Sequence, residues 1–159
     1  MASLPVVNQP ARHSAALLQH LARRMGVLGE AALAPLGLRP RHVIALTVLR
    51  DADGMTQAAL SETLQMDRTN LVGLLNELEG EGLVARTRSP EDRRKHVVTL
   101  TGEGRDMLAR AEMALGAAED VVLVGLTGKE RETLHTLLSR AMAAHTGAAC
   151  APGGGAPAC

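Results

Sequence analysis

The sequence predicts a mainly α-helical protein with one small β-hairpin. Apolar residues recur at helical spacing in six segments, and two short runs rich in β-branched residues flank a polar turn. Phe, Tyr and Trp are all absent, so the core is built from Leu, Val, Ile, Ala and Met. A chain of 159 residues suits one domain of ordinary size, or one smaller lobe with helices added for pairing. Without aromatic residues it is not expected to bind single-stranded nucleic acid by stacking.

Two helices are expected in the first third of the chain. Residues 11–34 place leucines and a methionine at helical spacing, and Pro35 with Gly37 ends that helix. A second helix is expected to begin at Pro40, a favoured first-turn residue, and to run to the acidic break at 51–54.

Two short helices follow in quick succession, capped by Thr56 and Asp67, and the second ends near Glu81 with Gly82 as its stop. Its leucines fall on one inward stripe: Leu71, Leu74, Leu75 and Leu78. The opposite stripe is polar or very small: Thr69, Gly73, Asn76 and Gly80. Such a face fits the major groove of DNA, although an ordinary amphipathic surface helix is equally compatible with this pattern alone.

The predicted hairpin supplies the second half of a DNA-binding motif. Residues 83–89 and 97–100 read as its strands, and Ser89-Pro90 opens the turn. Arg93, Arg94 and Lys95 lie at its tip, where a basic loop is placed to reach phosphates or a minor groove. A basic run alone is more often a solvated loop. Here it lies in a hairpin that follows two short helices, and this order of elements predicts a winged helix-turn-helix lobe.

The last third of the chain is expected to be helical and to pair two copies of the protein. One long helix starts at Thr101, and Thr127 with Glu130 forms a capping box for a final helix to about His145. Apolar positions on the first and last helices are the expected pairing contacts: Leu17, Leu21, Leu134, Leu137, Leu138 and Met142. The chain then divides into a dimerisation region (1–36 and 101–146), a winged helix-turn-helix lobe (37–100) and a flexible tail (147–159).

Charge is distributed unevenly although the formal net charge is zero. Residues 1–50 hold six arginines against the single acid Glu30, whereas residues 56–100 hold six basic and seven acidic residues. We therefore expect DNA affinity to depend on the hairpin, which is the wing of the motif, and on dimerisation rather than on a general basic field.

Other functional classes find little support in the sequence. We expect a cytoplasmic protein without a membrane partner, because no long apolar run is found. His13 and His20 lie about 10 Å apart along a helix, too far to share one ion, and we expect neither a metal nor another cofactor. Since no nucleophile with a base and no phosphate-binding motif stands out, we expect no catalytic residues and no enzymatic activity.

Residues 38–108 resemble the MarR (multiple-antibiotic-resistance regulator) family. The resemblance is carried by Gln57-Ala58-Ala59-Leu60, by Asp67-Arg68-Thr69-Asn70, by the run from Leu78 to Val84, and by Asp92-Arg93-Arg94 followed by Leu100-Thr101. It implies a homodimer whose terminal helices interlock and whose lobes each read one DNA half-site. Asp92 and Arg94 match the family's Asp-x-Arg wing motif, in which the acid steadies the wing and the arginine enters the minor groove.

The chain departs from the family in the middle of the second short helix, the one capped by Asp67. This is the recognition helix of the motif. Val72 and Gly73 stand where the family commonly carries a polar and then a basic residue. This departure leaves the DNA sequence that is read open.

Together these patterns predict a transcriptional regulator, most simply a repressor, that binds a pseudo-palindromic operator of double-stranded DNA. The expected DNA contacts are Arg68, Thr69, Asn70, Gly73, Asn76, Arg86, Arg88, Asp92, Arg93, Arg94 and Lys95. The resemblance also implies a small aromatic or anionic effector, for which the expected residues are Arg12, His13, Met25, Arg39, His42 and Met113.

Two alternatives stay open at this point. A winged-helix module that binds protein and has lost DNA binding is favoured by Val72 and Gly73 and opposed by Arg94. A thiol-based redox regulator would use Cys150 and Cys159, both of which lie in the tail rich in Gly, Pro and Ala.

Overall fold

Six α-helices and three short strands make up the fold in a computed structural model, which describes residues 14–88 and 96–148. The elements in order are α1 (Ala15–Leu33), a short 3-10 helix (Ala34–Leu36), α2 (Pro40–Asp51), β1 (Met55–Thr56), α3 (Gln57–Leu64), α4 (Arg68–Gly80), β2 (Val84–Arg88), β3 (His96–Leu100), α5 (Gly102–Val122) and α6 (Gly128–Ala148). The prediction of a mainly helical chain with a hairpin is confirmed.

A third strand, which the sequence did not predict, completes the small antiparallel sheet. The strand order is β1-β3-β2, so β3 is central, and Met55 pairs with Val98 while Thr56 pairs with Val97. Two residues are too few to show the alternating pattern by which strands are found in a sequence. The register of the hairpin itself runs from Val84 opposite Leu100 to Arg88 opposite His96.

The leucine stripe of α4 lies at the centre of the core. Leu71, Leu74, Leu75 and Leu78 are each at most 1% exposed, and they belong to one cluster with side chains of α2, α3, α5 and the sheet. Burying one such side chain contributes about 1.5–3 kcal/mol. This packing fixes the rotation of α4, so that its opposite face is held outward.

The start of α5 packs tightly against the start of β2. The Thr101 hydroxyl donates to the carbonyl oxygen of Gly82 (2.7 Å) and accepts from the backbone N–H of Gly104 (2.9 Å). A Cβ atom at Gly104 would lie 2.0 Å from the carbonyl oxygen of Leu83, so only glycine fits there. Gly82 has a φ of +72°, which explains why the predicted stop of the recognition helix is a glycine.

The chain forms two compact units, one ending at Val122 and one beginning at Leu123. In the first unit α1 packs along α5, and the Arg50 guanidinium of α2 lies 2.5 Å from a carboxylate oxygen of Glu112 in α5. The hydrogen bond with Glu112 is the main reason that the pKa of Arg50 is raised.

The second unit begins with the capping box that the sequence predicts. The Glu130 carboxylate accepts from the backbone N–H of Thr127 (2.8 Å), which lowers the pKa of Glu130. Helix α6 continues to Ala148, so residues 147 and 148 are helical although they were assigned to the tail. No helix among the described residues is long and apolar enough to cross a membrane.

Candidate nucleic-acid interface

Helix α4 starts from a tight turn after α3 in which Asp67 is the N-cap. Gln65 adopts the left-handed conformation (φ +50°), and the Asp67 carboxylate then accepts from the backbone N–H of Asn70 (3.0 Å). The side-chain amide of Asn70 donates to the second oxygen of the same carboxylate. These hydrogen bonds lower the pKa of Asp67, and they lock the first turn of the recognition helix.

The outward face of α4 carries the predicted base-reading residues. Arg68, Thr69, Asn70, Gly73 and Asn76 are all exposed. A Cβ atom built on Gly73 would meet no atom within 4 Å, so the middle of this face is open. Val72 is also 37% exposed beside it.

Arg86 joins the first strand of the wing to α4. Its guanidinium donates from Nε to Glu79 (2.9 Å) and from Nη2 to the amide oxygen of Asn76 (2.6 Å). The bond from Arg86 lowers the pKa of Glu79, and only 21% of the Arg86 side chain is exposed. Arg86 was predicted as a DNA contact; in the structure its charge is matched by Glu79 and it sets the position of β2 against α4.

Arg88 leads from this strand toward the wing tip. It is the last residue described in β2 and it is exposed. Asp92, Arg93, Arg94 and Lys95 lie outside the described residues, so their predicted contacts remain predictions.

Glu77 binds three basic side chains. In the sequence it was recognisable only as one of the negative charges of residues 56–100. Its carboxylate lies 3.2 Å from Arg39 Nη2, 2.9 Å from Arg41 Nη2 and 2.9 Å from His42 Nε2. Nδ1 of His42 accepts from the backbone N–H of Arg39 (3.2 Å), so Nε2 carries the proton that is donated to Glu77. This hydrogen bond is the main reason that the pKa of Glu77 is lowered.

This cluster ties the start of α2 to the recognition helix. His42 is buried, with 5% of its surface exposed, whereas the two arginines are open to solvent on one side. Arg39 and Arg41 therefore contact α4 through Glu77.

Two of the predicted effector residues lie beside cavities. A cavity of about 510 Å³ is lined by Glu30, Ala34, Leu38, Arg39, Pro40 and Arg41. A smaller one of about 190 Å³ borders Arg39, His42 and Glu77. Met25 is half-buried on α1 and Met113 is 77% exposed on α5, and neither lines these two cavities. Arg12 and His13 lie outside the described residues.

The residues predicted to pair two copies of the chain are largely exposed to solvent. Leu17, Leu137, Leu138 and Met142 are 63%, 53%, 39% and 71% exposed, and Leu21 and Leu134 are half-buried. Exposed apolar stripes of this kind are what a dimer interface requires.

A metal site and the tail thiols are the remaining candidates. Within residues 14–88 and 96–148, no group of three or more His, Cys, Asp or Glu side chains is arranged to hold a metal ion. Cys150 and Cys159 lie outside the described residues.

Comparison with known proteins places this geometry in a family. The MarR family model matches residues 36–95. The chain is 32% identical over 111 residues to an HTH-type transcriptional repressor of Mycobacterium tuberculosis, an alignment that covers 70% of this chain and 80% of the repressor. The chain belongs to the MarR family. Membership makes it a winged helix-turn-helix, DNA-binding transcriptional regulator rather than an enzyme.

Two further comparisons extend the likeness. A transcriptional regulatory protein of Thauera aromatica is 36% identical over 104 residues, and this chain spans 63% of its length while 65% of this chain is aligned. The structure of the transcriptional repressor CouR bound to a 23-mer DNA duplex superposes with a TM-score of 0.71 at 32% identity. That match covers 88% of this chain and 99% of CouR, so it includes both the lobe and helices outside it.

Proposed function

We propose that this MarR-family regulator represses transcription by binding a pseudo-palindromic operator as a homodimer. The observation that carries the proposal is the outer face of α4. Thr69, Gly73 and Asn76 are exposed there, while the buried leucine stripe and the Arg86 bridge hold the helix in one orientation. A fixed helix with a small polar face is what major-groove entry needs.

The wing supplies the second set of DNA contacts in this proposal. Arg88 is exposed at the end of β2, and the basic residues 93–95 follow it in the sequence. By the matched motif, Arg94 enters the minor groove, and Arg93 and Lys95 contact phosphates. CouR, a relative of the same fold, is seen on DNA, which supports the proposal.

Dimerisation involves the terminal helices in this proposal. Leu17 on α1 and Leu137 with Met142 on α6 expose apolar surface that water does not favour. The two-fold symmetry of such a dimer predicts DNA half-sites about 34 Å apart, which is one turn of the DNA helix. A cytoplasmic location belongs to the same proposal, because the operator is there.

A small aromatic or anionic effector would release the DNA through the Glu77 cluster. Arg39 and Arg41 line the larger cavity and also bind Glu77 of α4. A ligand carboxylate bound to these arginines competes with Glu77 and loosens the tie between α2 and the recognition helix. Glu30 on the same lining repels an anion, so the ligand carboxylate is expected on the side of the two arginines.

The proposed DNA contact is tested by placing one negative charge at two open positions of the same helix. A Cβ atom at Gly73 or at Gly80 would meet no atom within 4 Å, so Gly73→Asp and Gly80→Asp both introduce a carboxylate at an open position. Because the N-terminal half of a recognition helix enters the groove, Gly73→Asp should weaken operator binding at least tenfold and Gly80→Asp much less. Fluorescence anisotropy with promoter and random DNA at moderate salt measures both.

Equal binding by these two variants would contradict groove entry by α4. It would favour the alternative of a protein-binding module. Light scattering on the same samples checks that both variants keep the oligomeric state of the wild type.

The wing is tested by Arg94→Ala. Loss of an arginine inserted in a groove should cost about 1–3 kcal/mol of DNA binding. Arg110→Ala, at an exposed arginine of α5, is the control and should bind DNA as the wild type does. Asp92→Ala should be milder than Arg94→Ala, since it disturbs the wing only indirectly.

The effector is tested by calorimetry with salicylate-like acids. Binding heat and a matching loss of DNA affinity are expected for the wild type, and both should shrink in the Arg39→Ala, Arg41→Ala double variant. No heat at millimolar ligand would remove the effector from the proposal and leave the DNA-binding function standing.

A further inference from the structure

The hydrogen-bonding groups on the outer face of α4 are already oriented before DNA is bound. A guanidinium only donates, and Arg86 Nη2 lies 2.6 Å from the amide oxygen of Asn76, so the Asn76 NH₂ group is turned outward as a donor. Asn70 has the opposite orientation, because its NH₂ group donates to the Asp67 carboxylate and leaves its oxygen as the acceptor. In each amide, one of the two groups thus already has a partner within the protein.

The middle of α4 has no basic side chain with which to read a guanine, which an arginine contacts with two donors. Arg68 in the first turn is the one basic residue in α4, and the nearby Arg86 is held by Glu79. The outward NH₂ group of Asn76 is therefore the polar group at the centre of the helix that is best placed to contact a base.

Val72 supplies an apolar group beside the Asn76 donor. The two residues are four positions apart on one helix, which makes their side chains neighbours on its surface. Val72 is 37% exposed, and Gly73 next to it leaves open space through which the helix backbone can approach the DNA. In the major groove, thymine presents a C5-methyl group beside the O4 acceptor, which is the complement of a valine methyl beside an NH₂ donor.

We propose that Val72 and Asn76 together read a thymine in each operator half-site, Val72 through the C5-methyl group and Asn76 through O4. The inference rests on the proposed entry of α4 into the major groove. It assigns a specificity role to Val72, where the family pattern carries a polar residue.

The test removes single methyl groups from the DNA. Operators are first selected from random duplexes with the wild-type protein, and each thymine of the selected half-site is then replaced in turn by deoxyuridine. At one position the wild type should lose about fourfold in affinity, the effect of leaving one methyl group unburied. Val72→Ala should bind the thymine and deoxyuridine duplexes equally well.

A matched control and a second variant separate the two contacts. Ile44→Ala removes an apolar side chain of α2 that is 56% exposed, and it should keep the fourfold difference. Asn76→Asp retains an oxygen for Arg86 but loses the donor, so it should prefer 5-methylcytosine, whose N4 donates, at the position where the wild type prefers thymine.

The outcomes distinguish this inference from the proposed function. If operators are selected but no thymine shows methyl dependence, or if Val72→Ala keeps the fourfold difference, thymine reading is wrong while operator binding stands. If no duplex is selected at all, both fall.

Discussion

The lobe and the terminal helices differ in how they dispose of their apolar side chains. Among the described residues, 14 of the 18 buried apolar residues lie within 37–100. Of the 11 exposed large apolar residues, nine lie outside that range, on α1, on α5, on α6 and in the turn before α6. Residues 37–100 thus bury most of their apolar side chains, in a core to which α1 and α5 also contribute, and the terminal helices leave many of theirs exposed.

This difference indicates a division of labour within one chain. A well-buried core holds the recognition helix in place. Helices with open apolar stripes gain further stability when the stripes are covered, so part of their stability is expected to depend on protein concentration. The contrast supports a proposal in which the lobe reads DNA and the terminal helices pair.

The largest effect is expected from Leu75→Ala, in the core of the lobe. Leu75 is fully buried, and truncating such a leucine typically lowers the free energy of unfolding by about 2–5 kcal/mol. Urea denaturation should show this loss at every protein concentration tested. A loss that disappears at high concentration would break the comparison, since the lobe would then also depend on a partner.

Leu137→Glu tests the open stripe of α6. If a partner covers Leu137, a charge there removes about 1.5–3 kcal/mol of apolar burial, which weakens dimerisation at least tenfold. Ser139→Glu adds the same charge on the other side of α6 and should leave the dimer intact. Sedimentation equilibrium at micromolar concentrations measures both, and dissociation of neither variant would argue against a pairing role for this stripe.

Gly104→Ala tests the junction where α5 meets the wing. The added methyl group would lie 2.0 Å from the Leu83 carbonyl oxygen, an overlap expected to cost about 1–3 kcal/mol of stability. Gly116→Ala on the same helix meets no atom within 4 Å and should be neutral or slightly stabilising. Thermal unfolding of the two variants compares them directly, and equal melting temperatures would contradict the close packing.

The smallest effect is expected from mild acid. The pKa of Glu77 is lowered by His42 and Arg41, so its contribution to stability is complete above the ordinary glutamate pKa and is lost as the pH falls through the lowered value. Glu77→Gln should therefore be less stable than the wild type at pH 7, and the gap should close below pH 4 or so. Urea denaturation across this range measures the gap, and a gap that is constant with pH would rule out the ion cluster as its cause.

The sequence was sufficient for the elements whose signal is local. The stripe from Leu71 to Leu78, the cap at Asp67 and the box formed by Thr127 and Glu130 each depend on residues within a turn or two of one another. Local spacing fixes such features, and the structure confirms them.

The features that escaped prediction join distant parts of the chain. Glu77 binds residues 35 to 38 positions away, a separation at which no spacing rule operates. The Arg86 bridge crosses the turn between α4 and β2, and β1 is recognisable only through its pairing with β3. Acidic residues that looked unfavourable for DNA binding thus turn out to position the helix that reads it.

Gly73 offers a route to engineering this regulator. A glycine in the interior of a helix lowers stability by roughly 1 kcal/mol relative to alanine, and a Cβ atom at Gly73 would meet no atom within 4 Å. A library randomised at this single position would change the DNA-facing chemistry while most members gained, rather than lost, thermal stability. Operator preference could then be redesigned without compensating changes elsewhere in the protein.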